Sequence, residues 1–180
     1  MSKTRRIALL RGINVGAAKR ISMADLKALF EKLGHEDVKT LLNSGNVVFT
    51  SGNKTAEADA AGIEAPLSKK LGSTTRVTIL DGKALAAALA QNPLATAGRD
   101  PARLQLLVLR NEAAAAKLKD VLKQRWAPEE IALKRGVAYL WCPNGVLKGK
   151  VWTAVDRLLA GDGTARNLAT MTKLAALAES

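Results

Sequence analysis

Residues 5–16 read RRIALLRGINVG. The apolar run from Ile7 to Leu10 has the length of a buried strand and is bounded by basic residues and a glycine. Gly12 and Gly16 then mark a loop. Ser22 follows as a helix N-cap, and the apolar residues after it recur at helical spacing. This part of the chain therefore predicts a strand, a loop and a helix in direct succession.

The rest of the first half alternates strand and helix patterns. Asn43-Ser44-Gly45-Asn46 is typical of a hairpin turn between two short strands. A later helical stretch contains Pro66, where we expect a kink or a restart because proline removes a helix hydrogen bond. Strands are predicted at residues 38–42, 47–50 and 76–80, and helices at residues 22–33, 55–71 and 82–91. The first half thus has the order β-α-β-β-α-β with one more helix.

The same order begins again after a segment rich in proline, glycine and small residues. This segment, residues 93–102, is predicted to be a linker. Strands are then predicted at residues 103–109, 131–134 and 137–141, and helices at residues 111–122, 151–159 and 168–177. We therefore predict an α+β fold with two pseudo-repeated ferredoxin-like halves, antiparallel sheets and a C-terminal helix. Residues 1–92 and 103–180 would form the two halves.

The charge of the chain is strongly positive and unevenly placed. The 180 residues include 28 Lys+Arg and 16 Asp+Glu, a net charge of +12, and the first 20 residues contain no acid. Such a field favours polyanions or phosphorylated ligands, although a solvated surface would have the same composition. One Cys and one His exclude an intramolecular disulfide and a structural zinc site. Because no apolar run approaches about 20 residues, we expect a cytoplasmic protein that has no membrane span.

Three segments carry a family resemblance. They are LLRGINVG at residues 9–16, LNSGNVVF at 42–49, and TARN at 164–167 with MTKL at 171–174. Together they resemble the bacterial family called domain of unknown function 1697, from the first strand to the last helix. Leu168 stands where the family usually has an aromatic residue, which removes ring surface that bases could stack on. The resemblance implies a ferredoxin-like α+β architecture and assigns no catalytic residue.

The same segments predict an anion-binding site. Arg11 offers a planar fork of donors, the glycines let the backbone approach an anion, and free N–H groups begin the helix after Ser22. The candidate residues are Arg11, Gly12, Asn14, Gly16, Lys19, Arg20, Asn43, Ser44, Asn46, Arg166, Asn167 and Lys173. Arg166 would join the others if the C-terminal tail folds back. In the alternative interpretation, the glycines and asparagines serve only the geometry of the turns.

The other residues with suitable chemistry predict no catalytic group. His35 follows the end of a helix and is expected to be an exposed loop residue. Cys142 ends an apolar strand and is expected to be a buried structural thiol. No acidic pair has the spacing of a metal site, and we predict neither a metal nor a cofactor.

Three functions remain open at this level. The first is a non-catalytic binder of a phosphate-bearing ligand, either a nucleotide or a nucleic acid held through its backbone with little sequence selectivity. The second is an enzyme that acts on a small anionic or phosphorylated substrate, such as a phosphorylated metabolite, with Arg11, Asn14 and Asn46 as positioning groups. The third is a protein-interaction module that uses the sheet faces free of helices.

Overall fold

The computed structural model of the protein describes residues 3–16 and 20–180. The chain divides into two compact units. The first unit is Met1–Leu85 with Leu174–Ser180, and the second unit is Ala86–Lys173. The domain ranges 1–92, 93–102 and 103–180 stay a prediction from the sequence.

The first unit has the ferredoxin-like order of elements. Its strands and helices are β1 (Thr4–Leu10), α1 (Met23–Lys32), β2 (Glu36–Leu41), β3 (Asn46–Ser51), α2 (Ala56–Leu71) and β4 (Val77–Asp81), followed by the start of α3 (Gly82–Ala90). All pairs in the sheet are antiparallel, in the order β2-β3-β1-β4. Pro66 lies inside one continuous helix, α2.

The second unit repeats this architecture. Its elements are β5 (Leu104–Leu109), α4 (Glu112–Lys117), β6 (Glu130–Lys134), β7 (Val137–Trp141), α5 (Lys150–Leu159), β8 (Gly163–Asn167) and the start of α6 (Leu168–Glu179). The sheet order is β6-β7-β5-β8, again with antiparallel pairs. The predicted fold of two ferredoxin-like halves with a C-terminal helix is confirmed.

Equivalent hydrogen bonds join the end of the first strand of each unit to the turn of the hairpin that follows. In the first unit, the N–H of Leu10 donates to the carbonyl of Gly45 at 2.8 Å. In the second unit, the N–H of Leu109 donates to the carbonyl of Gly136 at 2.9 Å. Both glycines have a positive φ, a backbone conformation that glycine adopts without strain. This explains why each of the two turns contains a glycine at this position.

Strand β1 is buried on both faces. Ala8 and Leu10 pack with Phe30 and Phe49 in a core beneath the helices. Ile7 and Leu9, which alternate with them, are also 0% exposed. Double-sided burial explains why this strand reads as a continuous apolar run instead of an alternating one.

Two local features of the second unit differ from the sequence-based predictions. No strand was predicted at residues 163–167, yet they form the edge strand β8, in which Thr164 is buried. The residue that stabilises the start of α6 is Asn167, whose Oδ1 accepts from the N–H of Thr170 at 2.9 Å. The helix predicted at residues 111–122 is interrupted, because α4 ends at Lys117 and a 3₁₀ turn occupies Val121–Lys123.

The prediction that His35 is exposed is also wrong. Its side chain is 8% exposed and lies between two rings of the first core. The ring centroid of His35 is 4.6 Å from that of Phe49 and 5.8 Å from that of Phe30. The imidazole is therefore an aromatic member of the core, although it follows directly after a helix end.

Candidate functional site

Asn14 organises the first loop, which we define as residues 11–16. Its Nδ2 donates to the carbonyls of Ile21 and Asn43 at 3.0 and 2.8 Å. Its Oδ1 accepts from the N–H of Ile21 at 2.9 Å. The backbone of Asn14 has φ +55, a conformation that asparagine tolerates better than most residues. This one side chain ties the loop both to the residue before Ser22 and to the hairpin turn.

The hairpin turn, residues 42–45, packs directly on the first loop. Gly45 is buried and has φ +82. A Cβ atom at this position would lie 2.6 Å from Cδ1 of Ile13 and 2.8 Å from Cβ of Leu10. The turn therefore requires glycine both for its backbone conformation and for its close contact with the loop.

Asn46 is committed to the turn itself. The residue is 0% exposed, and its Nδ2 donates to the carbonyl of Leu41 at 2.9 Å and to Oγ of Ser44 at 3.0 Å. Asn43 and Ser44 are exposed at the tip. For Asn46, these contacts favour the structural role that the sequence left as an alternative.

An open cleft of about 430 Å³ lies where the loop, the hairpin turn and α1 meet. Its lining residues are Asn14, Arg20, Ile21, Ser22 and Asn43. Arg20 is exposed, and its Nε donates to the carbonyl of Gly16 at 3.1 Å. Oγ of Ser22 accepts from the N–H of Asp25 at 3.0 Å and so caps α1. The cleft thus combines a guanidinium with the positive end of a helix.

The remaining candidate residues lie at several places. Arg11 begins the first loop, and Gly12 and Gly16 are exposed with positive φ. Lys19 lies outside the described residues. Arg166 and Asn167 end β8, and Lys173 is exposed on α6, all within the second unit. That the tail brings Arg166 to the first loop stays a prediction.

A buried ionic cluster in the first unit was not predicted from the sequence. Arg6 and Asp59 form an ion pair, and both side chains are almost fully buried. Nε of Arg6 also donates to Oδ1 of Asp81 at 3.1 Å. Oδ1 of Asp59 accepts from Oγ of Ser51 at 2.7 Å and from Nδ2 of Asn53 at 2.6 Å. A charged residue beside an apolar strand was the only local indication of this cluster.

Burial changes the acidity of two further groups. It lowers the pKa of His35, with a smaller opposing effect from Asp59 and a smaller reinforcing effect from Arg6. Burial, followed by the charge of Glu129, raises the pKa of the Cys142 thiol to about 11. Cys142 is 0% exposed, as predicted. Both groups are therefore held in their neutral forms at pH 7.

Glu129 fills the start of α5 with a carboxylate of the protein itself. Its Oε1 accepts from the N–H of Lys150 at 3.0 Å, and its Oε2 accepts from the N–H of Val151 at 2.8 Å. This helix end is therefore already occupied by an anion. Among the described residues, no group of three or more His, Cys, Asp and Glu is placed to hold a metal ion. No helix formed by them combines the length and the apolar character that crossing a membrane requires.

The fold and the paired loop and turn define a tandem ferredoxin-like α+β protein. A family model matches residues 3–139, so the chain belongs to the family described as protein of unknown function (DUF1697). This confirms the family resemblance inferred from the sequence, and the first two of its three motifs lie within the matched residues. A conserved bacterial protein, SP0830 from Streptococcus pneumoniae, has a similar solved structure, with a TM-score of 0.76 and 24% identity over 98% of this chain and 99% of that one. That likeness shows the fold. No protein of curated function matches the chain.

Proposed function

We propose that this protein binds a small phosphate-bearing ligand in the cleft beside the first loop. The observation that carries the proposal is the cleft itself, which has a volume of about 430 Å³ and is lined by Arg20 and by Ser22 at the start of α1. Small-molecule sites in proteins usually measure roughly 300–1,000 Å³. A guanidinium beside a helix N-terminus suits a phosphate group in particular.

A charge difference between the two units supports the location. In the first unit, the N–H of Arg11 donates to the carbonyl of Arg76 at 2.9 Å. The equivalent bond in the second unit joins Arg110 to Asp162, at 3.1 Å. The same end of the sheet thus carries two arginines in one unit and an opposite-charge pair in the other. The Glu64 carboxylate, which accepts from the N–H following Arg76, offsets only part of this positive charge.

The described aromatic residues favour a nucleotide or a phosphorylated metabolite over single-stranded nucleic acid. Ferredoxin-like sheets that read RNA stack bases on exposed rings of their central strands. Here Phe49 on β3 and Tyr139 on β7 are 0% and 1% exposed, and the partly exposed Trp141 on β7 already has the Arg99 guanidinium 4.8 Å from its ring centroid. Binding of a polynucleotide would therefore rest mainly on its backbone charge and would weaken steeply with salt.

Calorimetric titration can test this function with three probes: adenosine monophosphate, inorganic phosphate and a short single-stranded RNA. We expect adenosine monophosphate to bind at low and moderate salt. Arg20→Gln should weaken this binding about tenfold, the size of one lost charged hydrogen bond. Lys83→Gln removes the same charge from an exposed position on α3 and should change nothing.

Three results would overturn the proposal. One is the absence of binding for all three probes even at low salt. Another is equal affinity of the wild type and the Arg20→Gln variant. If only the RNA binds, with a steep salt dependence, the small-ligand proposal fails and backbone-directed nucleic-acid binding replaces it.

A further inference from the structure

Strand β6 lies at the outer edge of the second sheet. Among the described strands it pairs only with β7, in a regular register from Glu130 opposite Trp141 to Lys134 opposite Val137. A regular edge strand presents a row of backbone donors and acceptors that another strand can use.

The corresponding edge of the first sheet is built differently. The pairing of β2 with β3 shifts register between Glu36 and Lys39, and Asp37 within this irregularity has φ +48. Bulges of this kind are a usual means of preventing pairing at an edge. The two units thus share a topology, but β6 lacks the irregularity that interrupts β2.

The sequence of β6 is complementary to itself. It reads Glu130-Ile131-Ala132-Leu133-Lys134. In an antiparallel pair centred on Ala132, each Glu130 faces Lys134 of the partner subunit and each Ile131 faces the partner's Leu133. Opposite charges and apolar side chains directly across a strand pair both stabilise it. Glu130 is also held in place by an ion pair with Arg99.

We propose that a second copy of this chain pairs with β6 in this antiparallel register, joining two second units through one continuous eight-stranded sheet. Such an arrangement has twofold symmetry, and each subunit contributes the same surface. The second sheet of each subunit has four strands, so the joined sheet has eight. The proposal does not depend on ligand binding in the first unit.

Sedimentation velocity of the full chain tests the proposal through charge reversal. We expect the wild type to form a dimer reversibly as concentration rises. Lys134→Glu and Glu130→Lys should each weaken the dimer about tenfold or more, because each places like charges opposite one another twice per dimer. The double variant Glu130→Lys/Lys134→Glu should dimerise more tightly than either single variant, even though the change at Glu130 also breaks the ion pair with Arg99. Lys83→Glu makes the same charge change as Lys134→Glu, on α3 of the first unit, and should leave the dimer unchanged.

A cross-link tests the register independently. Ala132→Cys places a thiol at the symmetry axis, and the native Cys142 is 0% exposed. Mild oxidation should convert this variant to a covalent dimer, whereas Ala61→Cys, exposed on α2, should remain mostly monomeric. The proposal is overturned if the wild type stays monomeric at every concentration, if the double charge reversal dimerises no more tightly than the single variants, or if Ala132→Cys cross-links no faster than Ala61→Cys.

Discussion

The guanidinium of Arg6 and the carboxylate of Asp59 are joined in a buried ion pair, with side-chain exposures of 3% and 0%. Arg6 lies on β1 and Asp59 on α2, so the pair fixes that helix against the central strand of the first unit. Ser51 and Asn53 also donate to the carboxylate, which satisfies its remaining oxygen. A buried ion pair is tolerated only when such additional hydrogen bonds compensate for the lost hydration.

Asp59→Asn should lower the free energy of unfolding by about 3 kcal/mol, because it leaves the Arg6 guanidinium buried without its main counter-charge. Urea denaturation at pH 7 measures this change. Glu57→Gln removes a carboxylate from the exposed first turn of the same helix and should cost less than about 1 kcal/mol. Equal losses in the two variants would contradict the assigned importance of the pair.

Stability should also depend on pH through His35. Burial lowers its pKa in the folded protein, whereas the unfolded chain has the ordinary value of 6.5. The unfolded state therefore binds more protons below about pH 6.5, and the folded state loses stability as the pH falls. The slope should reach up to about 1.4 kcal/mol per pH unit for one such group.

His35→Gln provides the comparison for this pH effect. Free energies of unfolding measured between pH 7 and 5.5 should fall more steeply for the wild type than for the variant. Asp59 and Arg6 also act electrostatically on the imidazole, and both residues are present in the wild type and in the variant. Parallel curves would show that His35 does not titrate differently on unfolding.

The sequence could predict the repeat because its signals are local. The buried strand β1 and the glycine turn of each hairpin depend on residues within a few positions of one another. The missed features depend on distant partners. Arg6 and Asp59 are 53 positions apart, and His35, which precedes β2, is buried against Phe49 of β3. Strand β8 is polar in sequence and becomes a strand because it pairs with β5.

The candidate site shows the same limit. The motif at residues 9–16 and the hairpin turn were both identified as unusual, and they do lie in contact. The sequence could not show that the side-chain amide of Asn14 forms its hydrogen bonds with Ile21 and Asn43 of the protein itself. Asn46 was considered for ligand binding on its chemistry, yet it is buried in the turn.

Asn14 should be the residue on which the shape of the cleft depends. Asn14→Gly preserves the positive φ but removes three hydrogen bonds, two of them to Ile21. We expect a loss of about 1–3 kcal/mol in unfolding free energy and faster hydrogen exchange at the Ile21 N–H. Asn43→Ala leaves the accepting carbonyl in place and should not change that exchange rate. Unchanged exchange in Asn14→Gly would contradict the role of this amide.

The two pseudo-equivalent glycines, Gly45 and Gly136, allow backbone strain to be separated from close contact. Both have positive φ, of +82 and +77, but a Cβ atom meets nothing within 4 Å at Gly136 and overlaps Ile13 at Gly45. Gly136→Ala should therefore cost about 1 kcal/mol, from the left-handed conformation alone. Gly45→Ala should cost about 3 kcal/mol, because overpacking is added.

Ile13→Ala removes the two nearest overlapping atoms, so Ile13→Ala/Gly45→Ala should be more stable, by about 1 kcal/mol, than the sum of the single losses predicts. Urea denaturation of the four variants measures this coupling, and simple additivity would show that the hairpin turn and the first loop do not press on each other.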